Sequence, residues 1–399
     1  MKILLVSEQW WPEGTGGILA SHLITQILRD AGFKITVIHG TRRPETVEDI
    51  DYAYTELLAA RNKYRLWINC YDLAKQAWFL ESVRNHDVVY IPRCCYPLIP
   101  LAKKLRKRVV VHLHDYQPVS YNSVVFYGKE KNYFNLYADA IKFEVLEHDS
   151  VLRALGASTA PMNTLSRLWL KEADAIICVS NRQAEIVSNL APELARKIRV
   201  IYNPLPETPS LEEKFVDPTF TFAGGGSYVK GFHILMQALL SILERRKSIS
   251  FMFIGSSRGF RQRHVKLLER LSGSRIGNFK LLGHLPHEDA LRLYSRSHAV
   301  VVPSICEEPL PYVVMEAMAM GTLPIASRVG GIPEIVKGTY AERLMFTPGR
   351  HEEMADRMET VLSLSRDQLV DVGLKLREVA LKRFNNEEVK QRLLEVFSV

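Results

Sequence analysis

The sequence predicts an α/β protein built from two open, parallel sheets with helices on both faces. Short apolar runs rich in β-branched residues recur along the chain and alternate with amphipathic helical patterns. A strand that leads through a glycine-rich turn into a helix occurs twice, first from residue 2 and again from residue 219. With 399 residues, of which 47% are hydrophobic, the chain is long enough for two such domains.

The first half begins with a buried strand and a glycine-containing turn. Lys2–Ser7 is the strand, Gly16 and Gly17 lie in the turn, and an amphipathic helix follows over 20–31. The later strands are predicted at Lys34–His39, Val88–Ile91, Val109–Leu113, Ala175–Val179 and Ile198–Ile201. The glycines do not complete G-x-G-x-x-G, so the signal for a dinucleotide site is weak.

The second half follows a proline-rich segment, 202–209, which places a domain boundary near residue 205. Its strands are predicted at Thr219–Ala223, Ser250–Ile254, Phe279–Leu282, Ala299–Val302 and Leu323–Ser327, and a final helix at 385–397. The glycines at 224–226 lead towards a helix, and Lys230 adds a positive charge. Such a turn can hold a phosphate through its amides, although it is not a P-loop.

An acidic, proline-rich loop separates strand Ala299–Val302 from a predicted helix at 313–320, which Gly321 ends. Pro311 fits the first helical turn. Glu316 lies about one turn inside the helix and leans back towards its N-terminus, so it can share a crevice with Glu308. Two carboxylates beside free amides suit a polyhydroxylated ligand. The alternative is that they only complement the helix dipole.

These residues form a long motif. Pro303-Ser304, Glu308-Pro309 and Glu316–Gly321, continued through 324–327 and 330–336, resemble the signature of the retaining glycosyltransferases of family 4, which have the GT-B fold. The resemblance implies two Rossmann-like, doubly wound lobes that face each other across a cleft. We predict an acceptor-binding lobe at 1–204 with the final helix, 385–399, packed on it, and a nucleotide-sugar-binding lobe at 205–384.

The resemblance also implies roles for individual residues. His114, Lys230 and Glu308 are the predicted catalytic residues: Lys230 offsets the charge of the leaving diphosphate, Glu308 holds sugar hydroxyls, and His114 faces the reactive side of the sugar. The predicted donor-binding residues are Gly16, Gly17, Gly225, Gly226, Lys230, His284, Leu285, Glu308, Leu310, Pro311, Tyr312, Val313 and Glu316. Among these, Glu316 is expected at the ribose and 284–285 at the base.

The sequence departs from the family pattern at two places. Gly225 stands where the family has an arginine that binds the diphosphate, and Arg258 or Arg328 are candidates to replace it. Losing such a charge-assisted contact costs about 1.5–3 kcal/mol. Pro311 replaces the usual glycine and removes one N–H donor.

Several of these residues also have purely structural interpretations. Gly16 and Gly17 fit a tight turn with positive φ as well as a loop close to the donor. His114, at a strand's carboxyl end, is predicted to be functional, although a lone histidine is often structural. His112, two residues earlier, is predicted to lie in the core.

The predicted function is transfer of a hexose, with retention, from a nucleotide-diphosphate sugar to an acceptor hydroxyl in lipid-linked glycan, polysaccharide or glycoconjugate synthesis. No cofactor or metal is expected, since Asp49-Ile50-Asp51 is only a chance-level match to D-x-D. The alternatives are a non-catalytic GT-B subunit that binds a sugar nucleotide, supported by Gly225, and a sugar-nucleotide epimerase on the same fold.

A peripheral membrane contact is the predicted further partner. The segment 103–108 has five basic residues in six, and 116–165 is rich in aromatic residues, a combination that suits a lipid-linked or anionic acceptor. The alternative is a solvated helix end beside a helical insert. The net charge of +8 is too small to indicate nucleic acid. Five cysteines without a CxxC pair, and no apolar run of about 20 residues, favour a cytoplasmic location, on or near the membrane's cytoplasmic face.

Overall fold

The computed structural model describes residues 1–14, 16–60, 62–129, 133–148, 155, 157–245, 249–255, 266–268, 270 and 278–398. Within it the chain forms two compact units. The first comprises Met1–Lys142, Val151–Pro204 and Phe384–Val399, and the second comprises Phe143–Ser150 and Leu205–Arg383.

The first unit contains one parallel sheet of seven strands in the order β3-β2-β1-β4-β5-β6-β7. The strands are β1 (Lys2–Ser7), β2 (Lys34–His39), β3 (Ile50–Tyr54), β4 (Val88–Ile91), β5 (Arg108–Leu113), β6 (Ala175–Cys178) and β7 (Ile198–Val200). Every paired neighbour runs parallel, and the chain order reverses beside β1. Ligands of such sheets bind outside the carboxyl ends of the strands.

Helices cover both faces of this sheet. They are α1 (Gly16–Asp30), α2 (Lys63–Leu73), α3 (Ala77–Asn85), α4 (Ile99–Lys104), α6 (Thr164–Leu170), α7 (Asn181–Leu190) and, at the end of the chain, α14 (Asn386–Phe397). Helix α5 (Tyr133–His148) begins in this unit, and its residues from Phe143 group with the second unit. The predicted return of the final helix to the first lobe is confirmed. Leu393 and Phe397 of α14 are fully buried in the core that contains Ile3 and Leu5 of β1, and the Phe397 ring meets Tyr90 edge-on at 5.2 Å.

The second unit contains a five-stranded parallel sheet in the order β10-β9-β8-β11-β12. The strands are β8 (Thr219–Ala223), β9 (Ser250–Ile254), β10 (Asn278–Gly283), β11 (Ala299–Val302) and β12 (Leu323–Ala326). Phenylalanine rings on β8 and β9, such as Phe220 and Phe251 with centroids 5.2 Å apart, stack across neighbouring strands. This packing explains why these strands read as continuous apolar runs.

The helices of the second unit connect these strands and extend beyond them. They are α8 (Phe232–Arg245), α9 (His287–Arg296), α10 (Tyr312–Ala319), α11 (Ile332–Val336), α12 (His351–Leu362) and α13 (Arg366–Arg383). The predicted α/β class with two doubly wound lobes is therefore confirmed.

Three details differ from the expectations. The edge strand β3 was not predicted, because Ile50–Tyr54 is only half buried and lacks a continuous apolar run. Residues 143–150 were assigned to the first domain but group with the second unit. Pro311 was placed in the first helical turn but is the N-cap residue, directly before α10.

Candidate functional site

The acidic loop of the second unit is centred on Glu308, a residue that is 7% exposed. The two carboxylate oxygens of Glu308 lie 2.7 and 2.9 Å from Lys230 Nζ, and Ser304 Oγ donates to Oε1 at 2.7 Å. The structure therefore brings two of the predicted catalytic residues, Lys230 and Glu308, into direct contact.

A glycine sets the distance between Lys230 and this loop. Gly231 has φ +72°, and a Cβ atom there would lie 1.8 Å from the carbonyl oxygen of Pro303. The neighbouring Ile305 N–H donates to the Val229 carbonyl at 3.0 Å. Because glycine at 231 has no side chain, the backbones of the two loops can touch. This contact brings the adjacent Lys230 within reach of Glu308.

Two further glycines, Gly330 and Gly331, hold the acidic loop from its other side. A Cβ atom on Gly330, which has φ +52°, would lie 1.8 Å from the carbonyl oxygen of Glu308. Gly330 N–H donates to Glu307 Oε2 at 2.6 Å, and Gly331 N–H donates to the Glu308 carbonyl at 2.8 Å. The motif glycines at 330–331 therefore hold the acidic loop in place.

The loop before α8 binds an anion of the protein itself. Glu147 Oε2 accepts hydrogen bonds from the backbone N–H groups of Tyr228 and Val229, at 2.7 and 3.2 Å. These contacts lie within the second unit and are consistent with the grouping of 143–150 there. Sequence analysis missed Glu147, because nothing in its helix indicates which loop it reaches.

Lys230 is held in its charged form. Burial opposes the charge, but the carboxylate of Glu308 outweighs it, with a further contribution from Glu147, so the pKa of Lys230 is raised above its ordinary value. Lys230 and these backbone N–H groups are donors that bind anions, here the carboxylates of Glu308 and Glu147. Such a site suits a phosphate or diphosphate.

Glu316 lies on α10 with only 5% of its side chain exposed, and it has a histidine partner. His287 Nε2 lies 2.7 Å from Glu316 Oε1. Burial opposes protonation of the imidazole, but the hydrogen bond and charge of Glu316 outweigh it and raise the pKa of His287. His287 was missed, although it lies two residues after the predicted pair 284–285 and opens α9, so a signal was available.

The remaining predicted donor residues lie on loops of the same unit. His284 is exposed and Leu285 half-buried in the turn between β10 and α9. Leu310 and Tyr312 are buried, and Val313 is half-buried, around the start of α10. The first turn of this helix leaves backbone N–H groups without intrahelical partners.

Gly225 has a backbone that explains the missing arginine. Its φ is +58°, in the left-handed region, and no atom lies within 4 Å of the position of a Cβ. Space is therefore available for a side chain, but the conformation disfavours any residue other than glycine. The next residue, Gly226, continues the turn. Of the two candidate replacements, Arg258 lies outside the described residues, and Arg328 is exposed.

In the first unit, two predicted residues meet at the carboxyl end of the sheet. A Cβ atom on Gly17 would lie 2.8 Å from Cβ of His114, so the glycine allows α1 to approach the histidine. Gly16 and Gly17 open α1, and neither has positive φ. The tight-turn interpretation of these glycines is therefore wrong.

His114 presents an unpaired imidazole. Both ring nitrogens are buried and lack a hydrogen-bond partner among the described residues. The ring stacks on His112 with centroids 4.2 Å apart, and His112, fully buried as predicted, lies 3.0 Å from the Tyr90 hydroxyl. Burial, with His112 and Arg93, lowers the pKa of His114 well below its ordinary value, so its ring is neutral near pH 7.

A salt bridge that sequence analysis missed lies near this histidine. Arg93 Nε donates to Glu8 Oε1 at 2.8 Å, and Glu8 Oε2 is buried without a partner in the described part of the chain. Glu8 follows β1 directly and Arg93 follows β4 by two residues. Charged residues just after buried parallel strands were a readable signal for this edge of the sheet.

The basic segment 103–108 is largely used within the fold. Lys103 binds Asp174 at 2.7 Å, Lys107 donates to the Arg84 carbonyl, and Arg108 donates to the Val396 carbonyl. Of the aromatic segment, Tyr116 and Phe126 are buried, and the side chains at 133–137 lie outside the described set.

Within the described ranges, no helix has the length and apolar character that a membrane crossing requires. The same ranges contain no group of three or more His, Cys, Asp or Glu side chains suited to a metal ion. All five cysteines are free thiols.

Two family models match the chain. The model described as Glycosyltransferase Family 4 matches residues 21–207, and the model described as Glycosyl transferases group 1 matches residues 217–364. Each match therefore lies on one half of the chain, and together they include most of it.

Curated proteins with related sequences span several activities. The chain is 32% identical over 179 residues to spore coat protein SA of Bacillus subtilis, covering 44% of this chain and 47% of that protein. It is 26% identical over 262 residues to alpha-maltose-1-phosphate synthase of Mycolicibacterium smegmatis, covering 61% of this chain and 67% of that protein. It is 24% identical over 345 residues to one component of the phosphatidylinositol N-acetylglucosaminyltransferase of Homo sapiens, covering 84% and 63%. The chain thus spans about half to two thirds of the length of these relatives.

Solved structures share the whole fold at low identity. Sucrose-phosphate synthase from Thermosynechococcus elongatus superposes with a TM-score of 0.75 at 16% identity, covering 100% of this chain and 98% of that chain. The Anabaena protein HepE in complex with UDP-glucose superposes with a TM-score of 0.71 at 18% identity, covering 100% of this chain and 99% of that chain. The two parallel-sheet units, these superpositions and the two family matches show that the chain belongs to the family-4 glycosyltransferases and has the GT-B fold.

Proposed function

We propose that the protein is a retaining, metal-independent glycosyltransferase. In this proposal it transfers a hexose from a nucleotide-diphosphate sugar to an acceptor hydroxyl in the synthesis of a lipid-linked glycan, a polysaccharide or a glycoconjugate. Family membership and the anion-binding loop of the second unit support this function.

The observation that carries the proposal is the pair of backbone amides that hold Glu147. The N–H groups of Tyr228 and Val229 already bind a carboxylate, next to the charged Lys230. A nucleoside diphosphate would use the same donors. HepE, whose fold is shared, is complexed with UDP-glucose, which supports this class of donor.

The reaction needs positive charge where the diphosphate departs. As the bond between the anomeric carbon and the phosphate oxygen breaks, Lys230 and the loop amides stabilise the developing negative charge. The acceptor oxygen forms the new bond on the same face of the sugar, and its proton passes to the departing phosphate. Fixed donors of this kind remove the need for a metal ion in the mechanism.

The carboxylates of the second unit would bind hydroxyl groups. In the proposal Glu308 and the first amides of α10 hold the sugar, and Glu316 holds the ribose. Since Glu308 is oriented by Lys230 and Ser304, its oxygens are positioned before the ligand arrives. His287 orients Glu316 in the same way.

His114 is the residue of the first unit that we propose for contact with the sugar. Its neutral ring has one N–H donor and one acceptor nitrogen, neither of them paired within the described structure. A sugar hydroxyl can satisfy both requirements.

The acceptor proposal rests on relatives and on surface charge. The human relative is named for the transfer of N-acetylglucosamine to phosphatidylinositol, which supports a lipid-linked acceptor. Lys104 and Arg106, the exposed residues of the basic segment, would provide peripheral contact with the cytoplasmic face of a membrane.

A thermal-shift screen against nucleotide sugars tests the donor, because a ligand that binds only the folded state raises Tm. Transfer is then measured for the wild type, Lys230→Ala and the control Lys280→Ala, an exposed lysine on β10. We expect Lys230→Ala to lower kcat by about 10²–10³-fold, the loss typical for a group that stabilises transition-state charge. Equal rates in all three proteins would refute the assigned role of Lys230.

A non-catalytic sugar-nucleotide-binding subunit is the second candidate, favoured by glycine at position 225. It predicts nucleotide binding but zero turnover in the wild type as well as in Lys230→Ala. A new sugar nucleotide formed without acceptor would instead indicate an epimerase.

A further inference from the structure

A cavity lies in the second unit away from the proposed donor site. Its volume is about 500 Å³, within the range of small-molecule sites. Its lining includes Leu211, Lys214, Met320, Arg366, Val370 and Leu374.

None of the predicted donor residues lines the cavity, although α9 and α10 contribute residues to both places. Glu316 lies in α10, whereas Met320 follows its last residue, and His287 opens α9, whereas Ser295 lies in its last turn. At 1.5 Å per residue, His287 and Ser295 are about 12 Å apart along α9, and Glu316 and Met320 are about 6 Å apart along α10. The cavity is therefore a separate site.

Lys214 is a buried cation that lacks a carboxylate partner. Only 7% of the residue is exposed. Its Nζ atom donates to the Ser295 carbonyl at 2.8 Å and to Thr322 Oγ1 at 2.5 Å. Both acceptors are neutral, and the described residues contribute no ion pair to this lysine. Buried charges in proteins are normally paired, so this arrangement is unusual.

The carboxylates next to Lys214 in sequence are engaged elsewhere. Glu212 lies 3.2 Å from Arg292 and 3.8 Å from Arg296, and Glu213 lies 3.1 Å from Arg366. Since the Glu213 side chain is 93% exposed, its pairing with Arg366 is weak.

Burial leaves Lys214 close to losing its proton. It lowers the pKa of Lys214 to about 7. The other groups facing it are Arg366 and His298. Burial, together with the charges of Lys214 and Arg366, lowers the pKa of His298 to about 4, so that the histidine is neutral. Thr322 donates its own proton to the Tyr294 carbonyl, so it accepts from Lys214 in either charge state of the amine. The third position on Nζ is then an N–H group or a lone pair.

The cavity wall also includes Glu212, Glu213 and Ser295, and one side of it is apolar and partly open. Arg366, Val370 and Leu374 follow one another at four-residue intervals on one face of α13. Val370 is 42% exposed, Leu374 52% and Leu211 38%. A ligand here meets cationic groups and an apolar surface together.

We propose that this cavity binds a small amphipathic anion. Its carboxylate or phosphate head pairs with Lys214 and Arg366, and its apolar body covers Leu211, Val370 and Leu374. The head supplies the counter-charge that Lys214 lacks.

The test is calorimetric titration of the whole protein with octanoate at pH 8, in two buffers that differ in their enthalpy of protonation. We expect binding with uptake of close to one proton per octanoate, because the anion charges an amine that is mostly neutral at this pH. Octyl phosphate is expected to bind similarly, whereas octanamide, without charge, and inorganic phosphate, without an apolar body, bind at least tenfold more weakly.

Variants separate the two parts of the site. Lys214→Met is expected to abolish the proton uptake, and Leu374→Asp to abolish octanoate binding. The control Leu240→Asp, at a residue on α8 that is 45% exposed, leaves both unchanged. If Lys214→Met fails to fold, the proposal is tested by the proton uptake of the wild type and by the loss of octanoate binding in Leu374→Asp.

Three results would overturn the proposal: no octanoate binding at millimolar concentration, binding without proton uptake, or equal binding of octanamide. None of these measurements depends on the identity of the donor sugar. Their failure would leave the proposed transferase function intact.

Discussion

The position of Glu147 leads to a specific prediction about donor binding. Its carboxylate occupies the Tyr228 and Val229 amides that we assign to the diphosphate. The donor must therefore displace it, and the free energy of these contacts is subtracted from donor affinity. We expect Glu147→Gln to bind the nucleoside diphosphate more tightly.

The size of the effect follows from the two contacts. A hydrogen bond to a charged group contributes about 1.5–3 kcal/mol, and 1.4 kcal/mol corresponds to a tenfold change in Kd. Glutamine keeps one oxygen that can accept from the amides, so we expect the lower figure, a Kd about tenfold smaller. Because the uncomplexed variant loses a charge-assisted contact, its own Tm should fall.

Calorimetry and thermal unfolding with the nucleotide found by the screen measure both quantities. The combination of lower Tm and tighter binding distinguishes loss of an internal competitor from general destabilisation. Glu144→Gln, three residues away on α5, is the control and should not tighten binding. Unchanged or weaker binding in Glu147→Gln would contradict our assignment of these amides to the phosphate.

Three further predictions concern pH, packing and catalysis. The raised pKa of His287 means that its ion pair stabilises the fold fully below about pH 6.5, and that this contribution disappears as pH rises through the raised value. The destabilisation caused by His287→Ala, measured by urea unfolding, should therefore be larger at pH 6 than at pH 9, and a pH-independent penalty would contradict the ion pair. Gly330→Ala should destabilise by at least about 2 kcal/mol, whereas Gly338→Ala, with φ +72° but nothing within 4 Å, carries only the backbone strain and should cost less. Gly17→Ala should displace His114 and lower the transfer rate; an unaltered rate would remove His114 from the proposed site.

The strands were predictable because parallel strands buried on both faces read as continuous apolar runs. Lys34–His39 and Ser250–Ile254, for example, have the predicted bounds. The edge strand Ile50–Tyr54 is half exposed, and because polar residues interrupt its apolar residues, it lacks the continuous apolar run by which the other strands were predicted. Burial on both faces made the inner strands visible, whereas Ile198–Val200 and Asn278–Gly283, at the sheet edges, are partly exposed and were still predicted from their apolar residues.

The candidate site was predictable where the chain itself supplies the spacing. Lys230 and Glu308 were named from motifs, and the structure brings them together. The partners from other segments, His287 and Glu147, depend on how helices pack, which no local pattern encodes. Arg93 and Glu8 fall between these cases, since their positions after buried strands were visible but their pairing was not.

The close contact of Gly231 with Pro303, and of Gly330 with Glu308, has a consequence for how such a protein changes over time. The anchoring of the lysine and the acidic loop is done by main-chain atoms, which substitution of neighbouring side chains does not alter. Substitution of the side chains around these main-chain contacts can therefore change which sugar or acceptor is bound without moving the lysine or the acidic loop. Any residue with a Cβ at either glycine would instead push the contacting backbone segments apart.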